Sequence, residues 1–235
     1  MKTVYLFLAT GFEEIEALTI VDMLRRAEID ITTVSISRNL QVEGAHGITV
    51  TADCTWVELS TEDADWLILP GGMPGTKHLG ECKPLVSLLQ RQAAANKNIA
   101  AICAAPSVLG QAGLLNGYKA TCYPGFEQFL TGATVTGDNV TVDRNITTGK
   151  GPGAAISFAT AIITQIAGEE KAREVTSDSF IKIQKTKKKK KPPGNAGAIF
   201  VILQIQLSNY PTIDETILSN ASVNLSAFFP PACAK

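Results

Sequence analysis

At 235 residues, with 45% hydrophobic and 18% charged residues, the chain suits one globular domain with a sizeable core and room for an appendage. The formal net charge of -1 hides an asymmetry: residues 1–184 carry 14 Lys and Arg against 20 Asp and Glu, residues 185–235 carry 7 against 2. A mildly acidic body excludes a general nucleic-acid surface, and no segment reaches the length of a membrane span.

Val4 to Ala9 reads as a buried strand turning at Thr10-Gly11 into a helix over Glu13 to Ala27. Ala17, Ile20, Val21, Leu24 and Ala27 recur at helical spacing and form its apolar face. Glu13, Glu14 and Glu16 fall in its first turn, where the helix dipole favours carboxylates. Ile31 to Ile36 returns as a second strand, and residues 41–53 alternate as a small hairpin punctuated by Gly44 and Gly47. Ala64 to Leu69 is the next buried strand, stopped by Pro70-Gly71-Gly72.

Pro84 then opens a helix with Leu85, Leu88, Leu89 and Ala93 on one face. Ile99 to Cys103 is a strand and Ala104 to Leu109 begins a helix. Short strands are expected near Tyr118–Cys122, Val140–Val142 and Asn145–Thr148. A last helix presents Ile156, Ala159, Ile163 and Ile166 and stops at Gly168. Alternating strands and helices predict an α/β fold with a mostly parallel sheet covered on both sides. In such sheets the site lies beyond the carboxyl ends of the strands, where Thr10-Gly11, Gly71-Gly72 and Cys103 all fall.

After residue 183 the character changes. Residues 184–235 are expected to be a Lys-rich, disordered tail, with the domain at 1–183. Its Lys185–Lys191 stretch is the one place where nucleic acid is conceivable as a partner. Ala198 to Leu207 is a lone β-prone run within it. Five cysteines (Cys54, Cys82, Cys103, Cys122, Cys233) form no CxxC pair and show no metal-ligand spacing. With an odd count and no secretory signal, the expectation is a reducing cytoplasm with neither disulfides nor a metal site.

The chemistry concentrates at Cys103, between a strand and a helix whose first turn holds Pro106. Such a turn is the cysteine version of the nucleophile elbow. A helix N-terminus favours a thiolate and lowers the thiol pKa, and that is the expectation for Cys103. Attack on a carbonyl creates an oxyanion, for which the N–H groups of Gly71, Gly72 and Ala104 are candidate donors. The only histidines, His46 and His78, both precede the cysteine and read as loop residues. Glu16, one turn into the first helix, is the better proton partner. A carboxyl in a desolvated cleft has a raised pKa and can donate to sulfur.

Taken in order, the matching stretches are Leu8-Ala9-Thr10-Gly11-Phe12-Glu13-Glu14-Ile15-Glu16 and Val21-Asp22-Met23-Leu24-Arg25-Arg26-Ala27. Leu69-Pro70-Gly71-Gly72 with Gly75, Ala100-Ala101-Ile102-Cys103-Ala104-Ala105-Pro106 and Gly151-Pro152-Gly153 follow. Over residues 2–180 this pattern resembles the DJ/ThiJ/PfpI superfamily, nearest to the Parkinson-associated human member and bacterial ThiJ-like proteins. The resemblance implies a flavodoxin-like three-layer sandwich, a homodimer, and a nucleophilic Cys103 hydrogen-bonded to a protonated Glu16. It also implies glyoxalase or deglycase activity without a cofactor, alongside oxidative-stress sensing and chaperone roles.

Two departures from close relatives matter. Where close relatives read Thr-His-Pro, this chain has Cys122-Tyr123-Pro124, and Tyr123 is a poor base near neutrality. His46 stands where they place an arginine reaching across the dimer, so Tyr123, Cys122 and His46 are candidate site-lining residues. The PfpI protease branch carries a histidine directly after the cysteine, and Ala104 argues against that branch. The expected function is a cysteine-dependent enzyme acting on a small aldehyde or glycated substrate, such as methylglyoxal. The alternative is a non-enzymatic redox sensor or chaperone in which Cys103 is oxidised. Nucleotide binding is disfavoured, because no glycine-rich phosphate loop follows the first strand.

Overall fold

The fold is known from a computed structural model, which describes residues 2–59 and 64–178. The tail expected at 184–235, with its lysine run, the Ala198–Leu207 segment and Cys233, lies outside the described residues. In chain order the first elements are β1 (Val4–Leu8), α1 (Glu14–Arg26), β2 (Ile31–Ser35), β3 (Gln41–Glu43), β4 (Thr49–Thr51), β5 (Cys54–Thr55) and β6 (Trp66–Leu69). Then come α2 (Gly75–Glu81), α3 (Lys83–Ala94), β7 (Asn98–Ile102), α4 (Pro106–Gln111) and β8 (Lys119–Ala120). The last are β9 (Thr134–Val135), β10 (Val140–Asp143), β11 (Ile146–Gly149) and α5 (Ala155–Asp178).

Seven strands form the central sheet in the order β10-β11-β7-β6-β1-β2-β5. Only β10 runs antiparallel to its neighbour; the other pairings are parallel. Because strand side chains alternate between faces, each strand feeds two cores. Leu6, Leu8, Ile68, Ala100 and Ile102 pack on one face against Ala17, Ile20 and Leu24 of α1 and Phe158, Ile162 and Ile163 of α5. Phe7, Leu67, Leu69, Ile99 and Ala101 pack on the other against Leu79 of α2, Leu85 and Leu89 of α3, and Val108 and Leu109 of α4. Helices therefore cover both faces of a mostly parallel sheet, the predicted three-layer sandwich. The hairpin at 41–53 is present as β3 and β4, paired antiparallel.

Several local expectations need correction. Helix α2 has no counterpart in the sequence reading, since Gly75 and Gly80 in seven residues give it little helical propensity. Helix α5 turns the predicted Ala159 and Ile163 inward, with Ile166 packed against the core, but Phe158 and Ile162 join them and Ile156 is exposed. Gly168 (φ 90°, ψ 167°) breaks that helix, as expected of a stop, but helical structure resumes through Asp178. Among the described residues no helix is long and apolar enough to cross a membrane.

Candidate functional site

Three loops meet beyond the carboxyl ends of the central strands, where the strand order reverses between β1 and β6. The Glu13 N–H donates to Gly71 O at 2.9 Å and the Gly75 N–H to Gly11 O at 3.1 Å, tying the loop after β1 to the loop after β6. Gly72 must be glycine: its φ is +90°, and a Cβ there would collide with Glu13 N and Gly11 O. Cys103 follows β7 with φ +65°, a left-handed conformation uncommon for a side chain with a Cβ. Backbone bonds hold it there: its N–H donates to Gly149 O at 2.9 Å and its carbonyl accepts from the Tyr123 N–H at 2.8 Å. A strained turn fixed from both sides aims one thiol into the crevice.

Glu16 projects into the same crevice from α1 and is fully buried. Its Oε2 accepts the Gly71 N–H at 2.8 Å, while Oε1 is buried with no hydrogen-bond partner. An unpaired buried carboxylate oxygen disfavours ionisation. Burial pushes the Glu16 pKa up to about 7, against the pull of the Gly71 N–H and a hydrogen bond with the Cys103 thiol. A Cβ on Gly71 would lie 2.7 Å from Glu16 Oε2 and 3.0 Å from Cys103 Sγ, so this glycine leaves room for the carboxyl and the thiol to meet.

The expected lowering of the Cys103 pKa does not occur. Burial, then the Glu16 charge and hydrogen bond, push the thiol up to about 12, while the Ala104 and Gly72 N–H groups act in the opposite direction. The dipole is weak here because α4 has six residues and begins only at Pro106. The two groups titrate as a pair, losing a first proton near neutrality and a second far above it. When Glu16 is protonated, the carboxylate charge opposing the thiolate is gone.

The other predicted residues divide. Ala104 and Gly72 direct their N–H groups at the Cys103 sulfur. Gly71 does not serve as an oxyanion donor, since its N–H is taken by Glu16. Cys122 is not a partner of Cys103: it packs in the core on the opposite sheet face, with Ala120 and Leu109, whereas Cys103 packs with α1 and α5. Tyr123 is half-exposed and hydrogen-bonded to the Cys103 carbonyl through its own N–H. His46 turns from the thiol toward α1, where its Nδ1 lies 2.8 Å from Glu14 Oε2 and its backbone N–H donates to Glu14 Oε1 at 2.7 Å.

Glu14 is thus no ordinary surface charge. It is buried, and although burial raises its pKa, the hydrogen bonds from His46 outweigh that and hold it below the usual carboxylate range. Gly44 makes room for this carboxylate. That contact joins residues 32 apart in the chain and has no local sequence signal. His78 bonds Thr10 O through Nδ1 at 3.0 Å. Among the described residues, Glu13, Glu14 and His46 alone bring three side chains able to ligate a metal together, with donor atoms within 4.8 Å of one another. The His46 contacts already occupy both Glu14 oxygens.

A parallel-sheet α/β sandwich with a strained thiol turn and a buried carboxyl beside it defines a cysteine-elbow protein. The DJ-1/PfpI family pattern matches residues 2–165, and the chain belongs to that family. It is 39% identical to Protein DJ-1 homolog B of Arabidopsis thaliana over 177 residues, 74% of this chain and 40% of that one. The chain therefore spans less than half the length of this plant relative. It is 32% identical over 165 residues to the glutathione-independent glyoxalase DJR-1.2 of Caenorhabditis elegans, covering 69% of this chain and 87% of that one. The oxidized form of Toxoplasma gondii DJ-1 superposes with a TM-score of 0.75 at 34% identity, covering 78% of this chain and all of that one.

Proposed function

We propose that this protein is a cofactor-free, cysteine-dependent enzyme that converts small reactive carbonyls such as methylglyoxal to hydroxy acids. The observation that carries this reading is the fully buried Glu16 carboxyl beside the Cys103 thiol, with one oxygen on the Gly71 N–H and the other unpartnered, a setting that raises its pKa to about 7. A group poised there both gives and takes protons at physiological pH. The Cys103 sulfur bonds to the aldehyde carbon, and the thiol proton passes through Glu16 to the carbonyl oxygen, giving a hemithioacetal. Glu16 then takes the proton of that carbon to give an enediolate, the hemithioacetal hydroxyl proton passes to the former ketone oxygen, and Glu16 returns its proton to the neighbouring carbon, leaving a thioester. Water cleaves the thioester to lactate and frees the thiol, so one methylglyoxal and one water yield one lactic acid.

The Gly72 and Ala104 N–H groups, already aimed at the sulfur, stabilise negative charge on the thiolate and on the oxygen that develops beside it. The C. elegans relative of stated glyoxalase activity supports the reading. The 1–183 domain would carry it, in a reducing cytoplasm that keeps the thiol free. A homodimer is part of the proposal, because Ile15 and Leu18 on α1 and Ile48 in the hairpin loop are large, apolar and exposed. The test is lactate formation from methylglyoxal by the purified chain and by Cys103→Ser. Lactate from the parent and none from the variant is expected; equal rates sink the reading.

The same donors favour a second reading, a redox sensor, because a sulfinate at Cys103 would accept the Gly72 and Ala104 N–H bonds and one from protonated Glu16. The relative of known structure in an oxidized form fits it. A parent that forms no lactate yet takes up two oxygens at Cys103 under peroxide, by mass, would favour the sensor.

A further inference from the structure

Beside the Cys103 turn lies a cleft of about 290 Å³ walled by Tyr123 and Pro124 on one side and residues 150–154 on the other, with Asn139 at its edge. Both walls are anchored to the backbone of Cys103, one through the Tyr123 N–H and the other through Gly149, which precedes Lys150. The Lys150 N–H donates to Asn139 O at 3.0 Å, which ties these two lining residues together. The Tyr123 ring lies against Gly151, where a Cβ would come 3.1 Å from Cδ2, so this glycine gives the ring room beside the turn.

The charge in this cleft is unbalanced. The Lys150 ammonium bonds only a carbonyl, Gly137 O at 3.3 Å, and among the described residues no carboxylate lies within ion-pair distance of it. Glu127 accepts the Gly125 N–H at 2.7 Å, Asp143 accepts the Lys119 N–H at 2.8 Å and pairs with Arg144, and Asp138, between Gly137 and Asn139, forms no ion pair with Lys150. The mechanism above uses none of these groups.

We propose that this cleft selects carbonyl substrates whose far end bears a carboxylate, held by Lys150 with the Tyr123 hydroxyl and the Asn139 amide. The proposal rests on Cys103 being the attacking atom. One ammonium, one amide and one hydroxyl match the two oxygens of a carboxylate. The neighbouring turn opens at Pro152, which has no N–H, so the row of backbone donors that a phosphate favours is interrupted. A 2-oxoaldehyde of about five carbons fits the volume, with the aldehyde at the thiol and the acid at Lys150.

The test compares 4,5-dioxopentanoate with neutral 2-oxopentanal in the parent, Lys150→Met and Lys150→Arg. The ratio of their kcat/KM values is expected to favour the acid in the parent, to fall about tenfold in Lys150→Met through KM, and to recover in Lys150→Arg. In the parent the ratio should also fall with added salt. A ratio that is the same in all three proteins overturns the proposal.

Alkylation keeps this question separate from the enzyme reading. The rate of Cys103 alkylation by 5-iodopentanoate relative to 5-iodopentanamide, in which an S–C bond forms and iodide leaves and the reacting carbon is as far from the acid as in the dioxo compound, is measured by mass in the same proteins. If no dioxo compound is turned over, the proposed enzyme activity fails. A Lys150-dependent alkylation ratio would still uphold the carboxylate site, and an unchanged ratio would overturn it.

Discussion

Glu14 and Glu16 lie two residues apart in the first turn of one helix, both buried, and their acidities move in opposite directions. Glu14 meets a histidine and a backbone N–H from the hairpin loop and stays ionised. Glu16 meets a thiol and one backbone N–H, with its second oxygen left unpartnered. Burial alone therefore does not set the charge of a carboxyl; the count and charge of its partners decide. One carboxylate fastens the hairpin to the helix, and its neighbour is left able to exchange a proton.

The sharpest way to break the comparison is to remove what Glu16 serves. Cys103→Ser should reduce lactate formation from methylglyoxal to background while the melting curve stays cooperative. Next, Glu16→Gln should cost about 10²–10⁴ in turnover, the usual contribution of a general acid-base group. The same variant should raise the rate of Cys103 alkylation by iodoacetamide at pH 8, because the charge holding the thiol pKa up is gone. Slower turnover combined with slower alkylation would mean that Glu16 only shapes the pocket.

The two carboxyls also differ in the sign of their pH effects. Glu16 is raised from an ordinary 4.5 to about 7, so its contribution to stability is full below the lower value and is lost as pH rises toward the upper one. Glu14 is lowered, so its contribution is present above the ordinary carboxylate range and is lost as pH falls through its folded value. Melting measured at pH 5 and pH 8 should show Glu16→Gln gaining on the parent at the higher pH. Glu14→Gln should be less stable than the parent by ~1 kcal/mol near neutrality, with turnover within about fivefold, since what it loses is a pair of hydrogen bonds. If Glu14→Gln instead abolishes turnover, the division of labour between the two residues is wrong. Smallest of all, His78→Ala should change turnover less than about threefold and melting by less than ~0.5 kcal/mol, its one bond being to a loop carbonyl.

What was legible in the sequence followed from periodicity and punctuation. The apolar face of α1, the strand before Cys103 and the glycine turn after β6 all read directly, because each is a local pattern. The burial of Glu14 was not legible, since its partner arrives from a hairpin distant in the chain. The layer of Cys122 left a signal that went unused: Ala120 and Cys122 share the parity of one strand face, which places the thiol with α4 and away from Cys103. The face of α5 read correctly at Ala159 and Ile163 but was misjudged at Ile156, which satisfies helical spacing as well as Phe158 does. Spacing alone cannot say which stripe of an apolar helix meets the sheet. The acidity of Cys103 was misjudged for another reason: position before a helix is visible in a sequence, whereas desolvation is a property of the assembled crevice.

The left-handed turn at Cys103 carries a consequence for engineering. A side chain with a Cβ in that conformation stores roughly 1 kcal/mol or more of strain, which glycine would not. A chain selected only for robustness would therefore drift toward glycine at this position and lose its thiol. Libraries screened for heat tolerance are expected to recover such inert scaffolds readily. A screen meant to harden the active protein has to require the thiol at every round.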